Sequence, residues 1–232
     1  MKTAVIIPAA GSGTRMGQPK QLILLCGKPI LTHALSTFVY HTDIDEIILV
    51  APDEVSETAI NFISREENET NQLLKKIKTV TESGENRQES VYNGLSTVSS
   101  DIKYVLIHDG ARPIVNKKIV SDIISLIKKG HCAISGIKSK DTVKITNETN
   151  IVINTPIREN TWLVQTPQGF PVEVIRNAHV KAKDDGFVGT DDAMLVERMG
   201  IPVMMVQGDY KNIKITTPDD LHVAEMFLRD IT

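Results

Sequence analysis

Short apolar runs alternate with amphipathic segments along most of this chain, and that alternation restricts the folds it can adopt. Residues 4–8, 44–51 and 132–137 are largely apolar and are predicted to be buried strands. Residues 29–41 and 117–129 carry apolar side chains at helical spacing on one face. A strand that is apolar on both sides needs helices on both faces of its sheet. The sequence therefore predicts an α/β fold with a mainly parallel sheet.

The same alternation continues through the rest of the 232 residues. Further strands are predicted at residues 77–81, 104–108, 203–207 and 212–215. Further helices are predicted at residues 54–65, at 88–98, near 172–182, near 191–199, and from Pro218 onward with Thr217 as N-cap. The polar residues 66–72 are predicted to form a surface loop. Because the chain has no repeat, low-complexity tract or linker, residues 1–232 are predicted to form one domain.

One segment, residues 138–158, departs from this pattern. Val143 and Ile145 precede five polar residues, and Ile151 and Ile153 follow them, each pair with one residue between. Two short alternating runs around a polar turn predict a β-hairpin. A hairpin of this size is only marginally stable alone. We therefore expect it to pack against another surface, for which a second subunit is a candidate.

Composition and charge argue against several classes of protein. The formal net charge of −3 gives no basic face, so we expect no nucleic-acid partner. The sequence shows no run of about 18 apolar residues and no signal-peptide pattern, so we expect no membrane span. Cys26 and Cys132 form no C-x-x-C pair and are expected to be reduced thiols of a cytoplasmic protein. The six histidines include no H-x-x-x-H pair, so no zinc site is predicted.

Three loops that directly follow predicted strands are the candidates for a site. They begin at Gly11, at residue 81 and at His108. Ligands of open α/β sheets bind in the crevice beyond the carboxyl ends of the strands. We therefore expect these loops to converge on one crevice.

The first of these loops places Gly11 and Gly13 close to the cations Arg15 and Lys20. It lacks the third glycine of the dinucleotide-binding motif, where Met16 stands, and it lacks the Gly-Lys-Ser/Thr of a Walker A motif. From spacing alone, an ordinary strand-to-helix turn remains an alternative. Backbone N–H groups beside two cations favour an anion, so the loop is predicted to bind phosphate.

Other polar residues allow two interpretations each. Asp109 and Arg112 could be a helix cap and a surface charge, or could bind a ribose or metal and a second anion. His108 could be a packed strand-end residue or a base. Thr190-Asp191-Asp192 could cap a helix or provide paired carboxylates. Lys214, between two isoleucines, could serve a site or protect an edge strand.

An ordered set of motifs, from about residue 4 to 221, resembles the 2-C-methyl-D-erythritol 4-phosphate cytidylyltransferase family. The motifs are Pro8-Ala9-Ala10-Gly11-Ser12-Gly13-Thr14-Arg15-Met16, Pro19-Lys20-Gln21, Gly84-Glu85-Asn86-Arg87 with Ser90, His108-Asp109-Gly110-Ala111-Arg112-Pro113, Lys140-Asp141-Thr142-Val143-Lys144, Gln165-Thr166-Pro167-Gln168, Thr190-Asp191-Asp192-Ala193 and Asn212-Ile213-Lys214-Ile215-Thr216. The first motif alone indicates only a sugar-type nucleotidylyltransferase. The ordered set is specific to the family.

The resemblance implies a fold and a reaction. The fold is a three-layer α/β structure with a mostly parallel twisted sheet, Rossmann-like, with a β-hairpin arm at about residues 138–159. The reaction transfers CMP from CTP to 2-C-methyl-D-erythritol 4-phosphate, releases pyrophosphate and uses Mg²⁺ in isoprenoid precursor biosynthesis. The resemblance also implies a cytoplasmic homodimer whose arms interlock.

The resemblance further implies roles for individual residues. The catalytic residues would be Arg15, Lys20, Arg158 and Lys214. The residues around the nucleotide would be Ala10, Gly11, Gly13, Gly84, Glu85, Ser90, Asp109 and Gly110. The residues that help to bind the acceptor would be Arg112, Thr142, Thr166 and Thr190. Asp109 is also a candidate metal ligand, with Mg²⁺ held mainly by the CTP phosphates. Thr142 and Arg158 lie on the predicted arm and would serve the partner's site.

The chain differs from the family pattern at three positions. Glu85 and Asn86 stand where the family often has Asp and Glu, and Gly110 replaces a common Ala. Ribitol-5-phosphate cytidylyltransferases resemble this chain too, but they typically have a Ser-Val pair where Gly110-Ala111 stands. Gly110-Ala111 and the Thr190–Ala193 motif favour methylerythritol phosphate as acceptor. The other alternative is a non-catalytic nucleotide-binding module with the same fold.

Overall fold

The computed structural model describes residues 1–11, 19–66, 71–81 and 83–230 of the chain. The strands in chain order are β1 (Lys2–Pro8), β2 (Leu24–Leu25), β3 (Lys28–Pro29), β4 (Glu46–Val50), β5 (Ile77–Val80), β6 (Ile102–Ile107), β7 (Cys132–Lys138), β8 (Ile145–Thr146), β9 (Val152–Asn154), β10 (Trp162–Pro171) and β11 (Val203–Gln207). The α-helices are α1 (Ile30–Val39), α2 (Asp53–Glu66), α3 (Asn71–Leu74), α4 (Arg87–Thr97), α5 (Lys117–Ile127), α6 (Val172–Asp184), α7 (Asp192–Glu197) and α8 (Pro218–Arg229). Short 3₁₀ turns occur at Lys20–Leu22 and Arg158–Asn160.

A seven-stranded sheet in the order β11-β7-β10-β6-β1-β4-β5 forms the centre of the fold. The β6, β1, β4 and β5 strands are parallel neighbours, and so are β7 and β11. The β10 strand runs antiparallel to both of its neighbours, β6 and β7. The predicted mainly parallel sheet is confirmed, with one antiparallel strand that the apolar pattern did not reveal.

Apolar side chains cover both faces of this sheet, which confirms the three-layer prediction. Side chains alternate between the faces along each strand. On one face, Val5 and Ile7 of β1 belong to a buried cluster that includes residues of α1, α2 and α5. On the other, Ala4 and Ile6 belong to a cluster that includes residues of α4, α6 and α7.

A third, smaller cluster attaches the C-terminal helix to the body. Leu25, Ile30, Ile114, Ile215 and Ala224 form its buried part. The α8 helix begins at Pro218 with Thr217 and Asp220 in a capping box, as the sequence predicted. This cluster fixes residues 212–217 beside the carboxyl ends of the central strands.

Two predicted elements differ in the structure. Residues 212–215 are a loop and not a strand. The backbone of this segment forms hydrogen bonds with other loops and not with a neighbouring strand. For example, the Ile215 N–H donates to the Ala111 carbonyl at 2.9 Å. Residues 66–72 are not a loop at either end, because Glu66 ends α2 and Asn71 begins α3.

The predicted hairpin is present as the antiparallel pair β8 and β9. Ile145, Ile151, Val152 and Ile153 on it are exposed. Among the described residues, no helix is long and apolar enough to cross a membrane.

Candidate active site

The three predicted loops do converge on one cavity, of about 430 Å³, beyond the carboxyl ends of β1 and β6. It is lined by Pro8, Ala9, Ala10, Gly11, Lys20, Gln21, Gly84, Glu85, Asn86, Arg87, Ser90, Asp109, Gly110, Ala111 and Lys214. A cavity of this size can hold a small-molecule substrate.

The loop after β1 is held by Gln21. Its side-chain amide donates to the carbonyls of Ala9 at 2.7 Å and Gly11 at 2.9 Å. The Ala9 N–H donates to the Val50 carbonyl, which ties the loop to β4. Ala10 and Gly11 line the cavity as predicted, whereas Gly13 and Arg15 lie outside the described residues.

The loop before α4 forms a second wall. Gly84 has no room for a side chain, because a Cβ there would overlap the Cβ of Glu89. The Asn86 side chain caps the helix by accepting from the Glu89 N–H, and the Ser90 hydroxyl accepts from the Gly84 N–H at 3.2 Å. The loop thereby places Glu85 on the cavity wall at the N-terminus of a helix, where anions are favoured.

Asp109 forms the charged centre of the site. One carboxylate oxygen accepts from Nε of Arg87 at 2.7 Å, and the other lies 2.8 Å from Nζ of Lys214. Burial by itself would raise the pKa of Asp109, but Arg87 and Lys214 outweigh it and hold the pKa below its ordinary value. The carboxylate is therefore ionised at neutral pH.

Arg87 connects this centre to a more deeply buried carboxylate. Its Nη1 donates to Asp192 at 2.7 Å, and the other oxygen of Asp192 lies 3.1 Å from Nε2 of His179. Burial would raise the pKa of Asp192, but Arg87 and then His179 lower it. Burial would lower the pKa of Arg87, but the two carboxylates raise it above its ordinary value. Arg87 thus remains charged between two anions.

Two lysines from distant parts of the chain line the same cavity. Lys20 begins the 3₁₀ turn after the first loop, and its Nζ donates to the carbonyl of Ile215 at 3.4 Å. Lys214 precedes that carbonyl by one residue and contacts Asp109. The packing of residues 212–217 under α8 therefore brings both ammonium groups to one place.

His108 is a packed residue and not a base facing the cavity. Its Nε2 lies 3.1 Å from the Arg112 carbonyl, and its Nδ1 lies 3.1 Å from the Thr166 hydroxyl. Its ring packs against Phe38. Burial lowers the pKa of His108 to about 4, so the imidazole is neutral at physiological pH.

Five predicted site residues lie away from the cavity wall among the described residues. The Thr166 hydroxyl accepts from the Asp109 N–H at 3.1 Å, and Arg112 donates to the Asn212 carbonyl at 2.7 Å, so both support the site from behind. Thr190 is exposed just before α7. Thr142 and Arg158 are exposed on the arm.

Sequence reasoning assigned no role to Gln21, Arg87 and His179, although the first two stand within the quoted motifs. It gave Asp192 two interpretations, a helix cap or one of two paired carboxylates, whereas in the structure Asp192 contacts Arg87 and His179. A signal was available for Arg87, which follows a glycine-containing loop after a strand. His179 has no such signal, because it lies inside a helix of ordinary amphipathic pattern.

The described residues contain no group of three or more His, Cys, Asp or Glu that could hold a metal ion. Asp109 already has a cationic group on each carboxylate oxygen. A divalent cation bound there would lie beside both cationic groups and would be repelled by them.

Comparison with known sequences gives one consistent result. A model of the family described as 2-C-methyl-D-erythritol 4-phosphate cytidylyltransferase matches residues 3–230. The curated protein of that name from Caldanaerobacter subterraneus subsp. tengcongensis is 46% identical over 232 residues, covering 99% of this chain and 100% of the relative. That from Alkaliphilus oremlandii is 44% identical, covering 98% of this chain and 95% of the relative.

Solved structures agree. The crystal structure of 4-diphosphocytidyl-2C-methyl-D-erythritol synthase from Anaerococcus prevotii matches with a TM-score of 0.83 at 33% identity, covering 98% of this chain and 96% of that one. The 2-C-methyl-D-erythritol 4-phosphate cytidylyltransferase of Thermus thermophilus matches with a TM-score of 0.77 at 31% identity, covering 99% and 100%. The similarity therefore extends over essentially the whole length in both directions.

Proposed function

The chain belongs to the 2-C-methyl-D-erythritol 4-phosphate cytidylyltransferase family and transfers CMP from CTP to that acceptor in isoprenoid biosynthesis, and we propose that the transfer takes place in the cavity around Asp109. The observation that carries this proposal is the convergence of Lys20, Lys214 and the Gly84–Asn86 loop on one cavity. Two fixed cations beside a helix N-terminus suit a triphosphate and a phosphate monoester.

The nucleotide is proposed to lie along the first two loops. Ala10 and Gly11 present backbone beside the phosphates, and Gly84, Glu85 and Ser90 surround the base. Asp109 and Gly110 line the same cavity, and we place the ribose, which connects the base to the phosphates, beside them. Small residues at these positions let the backbone approach the ligand closely.

The reaction needs positive charge more than it needs a base. The second pKa of a phosphate monoester is about 6, so the acceptor phosphate is largely dianionic at neutral pH and attacks without losing a proton. A neutral, packed His108 fits this chemistry. The cost lies in bringing two anions together and in holding the charge that develops at the α-phosphorus. We assign that work to Lys20 and Lys214, with Arg15 added from the sequence motif.

A divalent cation fits the substrate better than it fits the protein. Because Arg87 and Lys214 occupy Asp109, we propose that Mg²⁺ is held mainly by the CTP phosphates. When bound, it neutralises phosphate charge and helps pyrophosphate to leave. Asp109 then remains available to orient Lys214 and the ribose.

The arm is proposed to form a homodimer. Ile145, Ile151, Ile153 and Ile157 are exposed on it, and such apolar exposure marks an interface. Thr142 and Arg158 lie on the same arm and away from the cavity of their own chain. Both observations support a dimer in which each arm contributes Arg158 to the partner's acceptor phosphate. Because CTP and sugar-alcohol phosphates are cytoplasmic metabolites, we also propose a cytoplasmic location.

Pyrophosphate release from CTP tests the acceptor. We expect release with 2-C-methyl-D-erythritol 4-phosphate and little with ribitol 5-phosphate at equal concentration. A preference for ribitol 5-phosphate would assign the chain to the other cytidylyltransferase group. Nucleotide binding without release with either acceptor would identify a binding module and contradict the proposal.

Mixed dimers test the shared arm. Lys20→Ala should be nearly inactive alone. Arg158→Ala should mainly raise KM for the acceptor phosphate, so at a low acceptor concentration it should be nearly inactive too. In a dimer of one of each, the Arg158→Ala subunit keeps its own Lys20 and receives the partner's intact arm. With random exchange of subunits, an equal mixture should therefore regain about one quarter of the wild-type activity. A mixture that stays as inactive as the separate variants would show that Arg158 acts on the cavity of its own chain.

A further inference from the structure

A chain of buried polar contacts runs from helix α6 to the cavity. His179, on α6, contacts Asp192 at the start of α7, and Asp192 accepts from Arg87 at the start of α4. Arg87 in turn contacts Asp109, which contacts Lys214. Asp192 and His179 are each 1% exposed and lie behind the cavity wall, so neither can touch a substrate in this arrangement.

Arg87 is the residue that joins the two halves of this series of contacts. Nε contacts Asp109 and Nη1 contacts Asp192, both at 2.7 Å. Its remaining nitrogen, Nη2, is buried and has no hydrogen-bond partner among the described residues. A guanidinium prefers to bind one carboxylate through two N–H groups. Here the guanidinium donates one N–H group to each of two carboxylates. One oxygen of Asp109 therefore remains available to Lys214.

We propose that Asp192 and His179 are positioning residues for cytidylyl transfer, which act by holding Arg87 and thereby keeping Asp109 between Arg87 and Lys214. This inference rests on the proposed placement of the reaction in this cavity. Without Asp192, Arg87 can turn a second N–H group onto Asp109 or toward the phosphates of CTP. Either movement takes Asp109 away from Lys214 and displaces an ammonium group that we assign to charge stabilisation in the reaction.

His179 fixes the other side of Asp192. A carboxylate oxygen can only accept, so the proton of this contact is assigned to Nε2 of His179, which lies 3.1 Å from Asp192. Each oxygen of Asp192 then has one directed partner. The ring also lies at the wall of a second cavity, of about 340 Å³, between α4 and α6. That cavity gives small molecules access to the position of the ring.

A purely structural role for Asp192 is already filled by its neighbours. Asp191, not Asp192, caps α7 by accepting from the Met194 N–H at 2.9 Å. Gln168 on β10 ties the start of α7 to the sheet by bonding Asp191 and the Ala193 N–H. The start of α7 therefore keeps these anchors when Asp192 is changed to the isosteric Asn.

The first test is the pair Asp192→Asn and Glu46→Gln. A misplacement of about 1 Å can cost about a hundredfold in rate, so we expect Asp192→Asn to lower kcat about ten- to hundredfold. KM for CTP should change less than kcat, because the loop after β1 and the loop before α4 keep their own hydrogen bonds. Glu46→Gln removes a buried carboxylate at the other end of the sheet and should leave kcat unchanged. A folded Asp192→Asn enzyme with wild-type kcat would overturn the proposal.

The second test is chemical rescue. His179→Ala should also lower kcat, and imidazole added to the assay should restore at least part of it by entering the second cavity and donating to Asp192. Thiophene has a ring of similar size without an N–H group and should not restore activity. Rescue by both compounds would show that His179 only fills space, and rescue by neither would contradict a role for its N–H group. Imidazole should not rescue Asp192→Asn.

The outcome separates this inference from the proposed function. If Lys20→Ala retains activity, the cavity is not the site and both proposals fail. If Lys20→Ala is inactive while the Asp192 and His179 variants have wild-type kcat, only the positioning role fails.

Discussion

The two ends of the central sheet each bury a carboxylate beside a cationic side chain, but the carboxylate at the carboxyl end lines a cavity and the one at the amino end lines neither cavity described above. At the amino end, Glu46 lies 3.0 Å from Nζ of Lys78 and accepts from the Ser99 N–H and hydroxyl. At the carboxyl end, Asp109 lies between Arg87 and Lys214. Glu46 is enclosed by Ser99 and Lys78, and the Lys78 side chain is 47% exposed to solvent. Asp109 forms part of a cavity wall.

The difference shows that a buried ion pair does not by itself identify a functional site. The carboxyl end differs because the loops that follow several parallel strands all lie there. Those loops bring Lys20 and Gly84 to Asp109 from distant parts of the chain.

The largest expected difference is between two lysines. Lys20→Ala should lower kcat about 10²- to 10³-fold, by analogy with the loss of one preorganised charge-stabilising group. Lys78→Ala, its counterpart beside Glu46, should leave kcat unchanged. Steady-state kinetics by pyrophosphate release measures both, and thermal unfolding checks that both variants fold. Equal kcat values for the two variants would remove the functional distinction between the ends.

A smaller difference is expected in stability against pH. The pKa of His108 is lowered to about 4 in the folded state, so acidification protonates the unfolded chain first. The stabilisation is fully present above pH 6.5 and is lost as the pH falls toward 4. Between pH 7.5 and 5 the loss from this residue should be about 2 kcal/mol.

Urea unfolding at the two pH values measures this loss. His108→Gln should show a weaker dependence on pH than the wild-type protein, although it is less stable at pH 7.5. His41→Gln, at the amino end, should retain most of the wild-type dependence. A His108→Gln variant with the full wild-type dependence would contradict the assignment.

The smallest expected effect is at Glu46. Glu46→Gln weakens charge-assisted hydrogen bonds to Ser99 and a half-exposed ion pair, so unfolding free energy should fall by about 1 kcal/mol. Denaturant unfolding measures this, and kcat should not change. A loss of activity greater than the loss of folded protein would show that the amino end also influences the reaction.

Much of the fold could be predicted from local patterns. A strand that is buried on both faces, such as residues 47–50, is a continuous apolar run that can be recognised without knowing its neighbours. The convergence of the loops also followed, since it depends only on strand direction. Residues 212–215 were misassigned because Ile213 and Ile215 alternate as in a strand. Their burial comes from packing near α8 and not from a sheet.

The site was predictable where one segment carries the chemistry and not where distant segments meet. Lys20 and Asp109 stand in distinctive motifs. The contact between Arg87 and Asp192 joins residues 105 positions apart, and that between His179 and Asp192 needs the particular packing of α6 on α7. Nothing in the local pattern of either helix specifies those partners.

The insertion of β10 between β6 and β7 has a consequence for how the chain matures on the ribosome. The β1, β4, β5 and β6 strands are neighbours and are all synthesised by residue 107, so that half of the sheet can pair early. The β7 strand emerges next but has no place in the sheet until β10 follows it. Lys214 emerges later still, and long-range pairings of this kind form slowly. The lining of the cavity is therefore complete only after residue 214 has been synthesised.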